Sequence, residues 1–337
     1  MTDIINHQVR LAGHPSGLPK PSDWEFSEAP LPALEDGELL VKTHYISVDP
    51  AMRGWMNGRD TYVAALKIGE VMRALSVGEV IDSRNSAFAV GDYVAGIGGV
   101  QEYAVFDGSI LAKVDTALAP LPAYLNSLGI AGLTAYCGLI EVGVPKAGET
   151  VVVSGAAGSV GAHVGQIAKI KGCRTVGIAG GARKCAFLTD ELGFDAAINY
   201  KAEDLDAGLE RCCPDGIDIF FDNVGGETLD AALARINFHA RVVICGAISQ
   251  YNNTGAVAGP ANYLNLLIKS ARLEGFIYFN WRDKWPAMIK ELAAWRTAGQ
   301  LNCPDDIVEG GLKAFPDTLL RLFSGDNFGK LMIKVAD

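Results

Sequence analysis

Apolar and polar positions follow two different rhythms along the chain. Up to about residue 120 the apolar positions come in short runs, at 39–43, 45–48, 75–81, 93–95 and 103–106. Pro50, Gly54, Gly69, Gly78, Gly91 and the pair Gly98-Gly99 punctuate them. Many short strands separated by turn residues predict a mainly β domain, barrel-like or sandwich-like. Pro120 and Pro122 then mark a transition. Beyond it, strand-length runs at 150–154, 175–178, 197–200, 217–222, 242–245 and 273–279 alternate with helical patterns such as 159–171, 203–212 and 227–236. That alternation predicts a parallel, doubly wound α/β sheet. Residues 285–298 read as a further amphipathic helix. From 305 the elements shorten, and the strand-like end at 330–335 is expected to rejoin the first domain.

The most informative stretch is 149–161, Glu-Thr-Val-Val-Val-Ser-Gly-Ala-Ala-Gly-Ser-Val-Gly. Its β-branched opening reads as a buried strand. Small residues follow at Gly155, Ala156, Ala157, Gly158 and Gly161, and from Ser159 the apolar spacing turns helical. Strand, glycine turn and helix are the opening unit of a Rossmann-type dinucleotide-binding domain, with Ala156 in place of the first glycine of the usual fingerprint. Gly158 lets backbone approach a pyrophosphate, and Gly161 lets helix pack against strand. The N–H groups at Ser159, Val160 and Gly161 open the helix and suit phosphate oxygens. A tight turn with no ligand is the alternative for such a pattern alone. The domain boundaries read as 123–300 for this α/β domain and 1–122, completed by 301–337, for the mainly β one.

Composition narrows the classes. The chain has 337 residues, 49% hydrophobic and 20% charged, with a formal net charge of −10. Nucleic acid is a poor partner for so acidic a chain. No apolar stretch is long enough to span a bilayer, and the N-terminus lacks the basic and apolar regions of a secretory leader, so a cytoplasmic protein is expected. The seven cysteines (137, 173, 185, 212, 213, 245, 303) form no Cys-x-x-Cys pair and suggest neither a disulfide framework nor structural zinc. The histidines are scattered, and His163 reads as a packing or surface residue.

The second strand of the α/β domain ends at Gly177-Ile-Ala-Gly180-Gly-Ala-Arg183-Lys184. An NAD-specific fold places Asp or Glu near this point, for the ribose 2′-OH. Here no acid occurs until Asp190, and two bases follow two glycines. That favours a 2′-phosphate, hence NADP(H). The alternative is a pair of solvated charges opening a helix.

The motifs Gly132-Leu-Thr-Ala-Tyr136, Gly158-Ser-Val-Gly161, Asp222-Asn-Val-Gly-Gly226, Cys245-Gly-Ala-Ile-Ser-Gln-Tyr251 and Gly325-Asp-Asn-Phe-Gly-Lys330 occur in that order, with Ile46-Ser-Val-Asp-Pro50 and Met52-Arg-Gly54 before them. On these the chain resembles the zinc-independent medium-chain dehydrogenase/reductases, in the branch of prostaglandin reductases, alkenal double-bond reductases and curcumin reductases. The resemblance implies a GroES-like fold for the first domain and a homodimer. It implies that Gly158 to Gly161 hold the pyrophosphate, and that Gly180, Lys184 and Tyr200 meet the 2′-phosphate end. Asn223 is implied beside the cofactor. Cys245, Gly246, Ala247, Ile248, Ser249, Gln250 and Tyr251 are implied around the adenosine and nicotinamide ribose. Phe276, Ile277 and Tyr278 are implied along the nicotinamide, with Thr134 and Asn327 near its end. Turn formation is the alternative for Asn223 and Asn327 taken singly.

Zinc-dependent relatives carry an early Cys and a Gly-His-Glu. Those places here hold Ser47-Val-Asp-Pro50 and Val77-Gly-Glu-Val80, so no metal is expected. Without a Lewis acid, hydride delivery to a conjugated carbon is favoured over alcohol oxidation. The expected reaction reduces the double bond of an α,β-unsaturated ketone or aldehyde at its β-carbon. The oxygen that becomes enolate-like needs a donor, and Tyr62 and Tyr251 are the candidates, each with the alternative of a core or rim residue. A quinone reductase of the same superfamily, or a non-catalytic NADPH-binding protein, stays open. The chain departs from the family at Ala51, at Arg73 and Ala74 within Met72-Arg-Ala-Leu75, at Val100 and at Ile268, where relatives build the substrate pocket. Arg73 either points at an acidic group of the substrate or is a solvated charge.

Overall fold

The computed structural model describes residues 4–335. Three residues of the N-terminus read above for leader features, and the last two of the chain, lie outside the described residues. The chain divides into two compact units. One runs up to Asn126 and resumes at Asp305, and the other is Ser127–Pro304.

In the first unit, β1 (Ile5–Leu11) and β2 (Trp24–Pro30) form a separate antiparallel pair. There follow β3 (Leu39–Ser47), the short helix α1 (Ala51–Trp55), β4 (Ser76–Ser83), β5 (Tyr93–Gly96), β6 (Tyr103–Phe106) and β7 (Ala112–Val114). The runs 39–43 and 45–48 merge into β3, whose register against β4 shifts between Thr43 and Tyr45. Leu39, Val41, Val80, Val94 and Ala104 supply part of its core.

The second unit opens with α2 (Ile130–Tyr136), which widens into a π-helical stretch over Cys137–Gly143. Then come β8 (Thr150–Ser154), α3 (Ser159–Ile170), β9 (Arg174–Ala179), α4 (Ala182–Ala186), β10 (Ala196–Asn199), α5 (Leu205–Cys212), β11 (Ile217–Asp222), α6 (Gly226–Leu233), β12 (Ile236–Ile244), α7 (Leu264–Ile268), β13 (Arg272–Gly275) and α8 (Trp285–Thr297). The six strands are parallel in the order β10-β9-β8-β11-β12-β13. β8 is buried at every position, as a central parallel strand covered on both faces must be. The order reverses between β8 and β11, and ligands of such sheets bind outside the carboxyl ends at that switch point.

The chain ends with β14 (Asp305–Val308), α9 (Phe315–Ser324) and β15 (Lys330–Lys334). β15 pairs antiparallel with β3, Met332 opposite Ser47, giving a sheet β14-β15-β3-β4-β5-β7 with β6 on β3. The fold is thus α/β, with one parallel-sheet unit and one mainly β unit. Among the described residues no helix is long and apolar enough to cross a membrane.

Three elements differ from the pattern reading. β13 stops at Gly275 rather than 279, because the aromatic run beyond it packs elsewhere. Phe276 meets Phe221 edge-on at 6.2 Å, and Tyr278 stacks on Trp285 at 5.1 Å. β12 begins at Ile236 rather than 242. A register shift against β11 and the left-handed His239 (φ 61°) break the alternation that would have revealed it. Within the tail, α9 is a full helix, with Pro316 in its first turn and the left-handed Gly325 (φ 73°) closing it.

Candidate cofactor and active site

The glycine turn joins β8 to α3 at the switch point. Gly155 carries the left-handed backbone (φ 59°) that the turn requires, although the spacing had drawn attention to Ala156. A Cβ on Gly161 would lie 2.5 Å from Gly155 O and 2.8 Å from Ala156 Cα, so close packing of helix on turn demands glycine there. Gly158 is different. Its backbone (φ −80°, ψ 169°) suits any residue, and a Cβ would meet only Gly155 O, at 3.2 Å. That contact is tight but milder than the collision at Gly161, and a phosphate lying against the turn would constrain Gly158 further. No side chain caps α3, so the half-buried Ser159 and Val160 open a helix start suited to an anion.

Across the switch point, Asp222 ends β11 fully buried. Its carboxylate accepts from Ser154 Oγ at 2.7 Å and from the N–H groups of Val224 (3.0 Å) and Gly225 (3.0 and 3.1 Å). Burial pushes its pKa up, against the pull of those donors. Ser154 Oγ in turn accepts from Asn223 N at 2.8 Å, and Asn223 Nδ2 donates to Ser154 O at 2.7 Å. Asn223 therefore sits beside the glycine turn, with its amide nitrogen tying β11 to β8. Asp222 entered the sequence reading only as the first residue of a motif and Ser154 only as the end of a strand, and neither was given a role; the one signal is an acid closing an apolar strand before Gly-Gly.

The loop 245–251 is stitched onto the same corner. Cys245 and Gly246 donate from their backbones to Asp222 O, Ile248 to Asn223 O and Ser249 to Val224 O. Ser249 Oγ donates to Val224 O at 2.6 Å, and Gln250 Nε2 to Ser249 Oγ at 2.8 Å. Tyr251 Oη folds back to accept from Ala247 N at 3.2 Å, and a Cβ on Gly246 would come within 2.8 Å of it. Burial, and then the Asp222 carboxylate, push the Cys245 thiol up to about 12, which disfavours its thiolate.

Gly180 and Tyr200 meet at the ends of β9 and β10, and Arg183 and Lys184 follow on α4. Asn199 Oδ1 accepts from Gly181 N at 2.8 Å and Lys201 N at 3.2 Å, which ties the two ends together. A Cβ on Gly180 would lie 2.9 Å from Tyr200 Oη. Arg183 is exposed and Lys184 half-buried on α4. Phe276 packs so closely on α2's extension that a Cβ on Gly138 would lie 2.4 Å from its ring. Phe276 and Tyr278 thus have their rings engaged by other aromatics, and Ile277 between them is half-buried. Thr134 is half-buried on α2. His163 is fully buried, its Nδ1 2.6 Å from Ser159 O and its Nε2 3.1 Å from Ser127 Oγ, a packing residue of α3.

In the first unit, Tyr62 is half exposed and accepts from Trp55 Nε1 at 3.4 Å. Asn327 lies in the turn before β15, its Nδ2 3.4 Å from Gly329 O. At Ser47-Val-Asp-Pro50, Ser47 Oγ donates to Asp49, and the buried Lys330 Nζ lies 2.5 Å from the other Asp49 oxygen. Among the described residues no three His, Cys, Asp or Glu side chains gather as metal ligands.

Residues 7–114 match the family described as the N-terminal domain of oxidoreductase, and residues 159–294 the family described as zinc-binding dehydrogenase. A Bacillus subtilis chain whose name proposes an NADP-dependent oxidoreductase is 46% identical over 333 residues, 98% of both chains. The chain belongs to the zinc-independent medium-chain dehydrogenase/reductases, in the prostaglandin, alkenal and curcumin reductase branch. Another member of this reductase branch, the NADP(+)-dependent 2-alkenal reductase of Nicotiana tabacum, is 39% identical over 340 residues, covering 99% of this chain and 98% of its own. The structure of CurA from Vibrio vulnificus in complex with NADPH superposes with a TM-score of 0.93 at 38% identity, over 98% of this chain and 99% of that one.

Proposed function

We propose that this medium-chain reductase uses NADPH to reduce the carbon–carbon double bond of α,β-unsaturated ketones and aldehydes. The observation that carries the cofactor part is the turn from Gly155 to Gly161 at the uncapped start of α3, where a Cβ on Gly158 would press on Gly155 O at 3.2 Å and one on Gly161 would collide with it at 2.5 Å. The residues fit the dinucleotide. The Gly158–Gly161 turn would hold its pyrophosphate. Arg183 and Lys184, with Tyr200 and Gly180, would receive the 2′-phosphate where no acid stands to select NAD. The backbone of 245–251, anchored through Asp222, would line the nucleoside. The bound cofactor supplies a hydride for the β-carbon of the substrate. The chain's part is to orient both partners and to meet the carbonyl oxygen with a donor as negative charge develops there. Tyr62 in one unit and Tyr251 in the other are the candidates for that role. The Tyr62 oxygen accepts from Trp55 Nε1 and the Tyr251 oxygen from Ala247 N. The tobacco relative's name supports the conjugated substrate.

The reading includes a homodimer in the cytoplasm. β13 is an edge strand exposed along its length, which favours pairing with a second copy. Sedimentation should give twice the chain mass. The reaction is tested with NADPH deuterated at the transferable position and a simple enone. The expected product is the saturated ketone with deuterium on the β-carbon, formed equally well with a chelator present. Deuterium on the carbonyl carbon of an allylic alcohol would overturn the reading.

A further inference from the structure

The helix that opens the second unit widens from α turns to π turns at Cys137, and wide turns of this kind concentrate at functional sites. The wide stretch is tied to β13 at both ends. Arg272, the first residue of β13, donates through Nη2 to Val142 O. Phe276, the residue after β13, puts its ring against Gly138. The chain order reverses between the two ties, so the wide stretch and β13 run in opposite directions. Arg241 of β12 holds the far end of the stretch, its Nε donating to Gly143 O at 2.7 Å and its Nη2 to Val144 O at 3.0 Å. Gly138 is buried, and a Cβ there would lie 2.4 Å from Phe276 Cζ and 2.6 Å from Phe221 Cε2. Phe221 is fully buried within β11. Of the two rings, Phe276, half-buried beyond the end of its strand, is therefore the one that would have to move.

We infer that Gly138 is a positioning residue: by having no Cβ it seats the Phe276 ring, and so fixes how closely the backbone of 276–278 approaches the nicotinamide of the cofactor. The inference rests on the NADPH-reductase reading, with that segment along the nicotinamide. The place of the seat in the fold fits this role. Phe276 follows the carboxyl end of β13, and Phe221 precedes Asp222 at the carboxyl end of β11, the side of the sheet on which such folds bind ligands. Thr134 stands four residues before Gly138, one turn back along the same helix. A methyl group at 138 would push ring and segment away by on the order of an ångström, and a misplacement of that size costs about 100-fold in rate.

Three readouts separate this role from plain core packing. Gly138→Ala should lower kcat with NADPH and a simple enone roughly 100-fold. It should also diminish the change in nicotinamide emission that accompanies binding, measured at saturating protein. Affinity for adenosine 2′,5′-bisphosphate, which carries no nicotinamide, should stay unchanged by calorimetry. Adding Phe276→Leu to Gly138→Ala gives the methyl group room and should restore most of kcat and of the emission change. Phe276→Ala empties the seat instead of filling it, and should reproduce the selective loss even if Gly138→Ala does not fold. Unchanged kcat and emission in Gly138→Ala overturn the inference, and with a wild type that reduces the enone they leave the reductase reading standing. An equal loss of affinity for NADPH and for the bisphosphate, or a double variant no better than Gly138→Ala, overturns the inference as well. A wild type that shows the emission pattern and reduces no enone supports the seat and sinks the reductase reading.

Discussion

Two glycines three residues apart do different work. Gly161 is held by the protein, since a Cβ would collide with the Gly155 and Ala156 backbones. Gly158 has an ordinary backbone, and a Cβ there would meet Gly155 O at 3.2 Å, a contact that a shift of a few tenths of an ångström relieves. Gly158→Val should therefore fold, with a circular dichroism spectrum like the wild type, yet lose NADPH binding in a fluorescence titration. Unchanged binding would make the turn merely structural. The base pair on α4 yields a second test. Lys184→Ala should weaken NADPH roughly 10- to 100-fold, the worth of one charge-assisted hydrogen bond, and leave NADH nearly unchanged. Equal losses for both cofactors would refute a 2′-phosphate contact. The strand–turn–helix from Thr150 to Ile170 was legible in the sequence because its residues lie a few positions apart. The tie between Asn223 and Ser154 was not, because the two are 69 positions apart and meet only once β11 lies beside β8.

Whole elements were legible where packing enforces one period. β8, with five buried positions, and α3, with its apolar face, stand as the pattern predicts. β13 was read too long because strand propensity cannot register that Phe276 and Tyr278 find better partners in Phe221 and Trp285. The placement of β15 hinges on a polar contact that no local pattern carries. Lys330 is 1% exposed, and its ammonium meets Asp49, beyond the end of β3. Asp49→Ala would leave that ammonium buried and unpaired, a loss of about 3–5 kcal/mol. Lys330→Met, which fills the space without a charge, should cost less than Asp49→Ala even though it removes the same ion pair. Denaturant midpoints of the two variants order them, and the reverse order would mean that Lys330 is stabilised by something other than Asp49.

At the scale of the molecule, the contacts proposed for the adenosine and pyrophosphate all lie in one of two units, and that has a thermodynamic signature. Every contact assigned to the adenosine and pyrophosphate comes from elements of Ser127–Pro304, at the carboxyl ends of β8, β9, β10, β11 and β12. A ligand that binds the folded state alone stabilises it by about 2.7 kcal/mol at a hundredfold excess over its dissociation constant. For a unit of this size that corresponds to a rise of about 5–10 °C in the melting temperature. NADP+ should produce this shift in a calorimetric scan, and NAD+ at the same concentration a much smaller one. A fragment limited to adenosine with its 2′-phosphate should still shift the transition, because the contacts proposed for it, Gly180, Arg183, Lys184 and Tyr200, need nothing from the nicotinamide end. Gly158→Val should remove most of the NADP+ shift while sparing that of the fragment, which carries no pyrophosphate bridge to meet the turn. If the fragment gives no shift and NAD+ matches NADP+, the bases on α4 face solvent, and the preference for NADPH must be sought elsewhere in the chain.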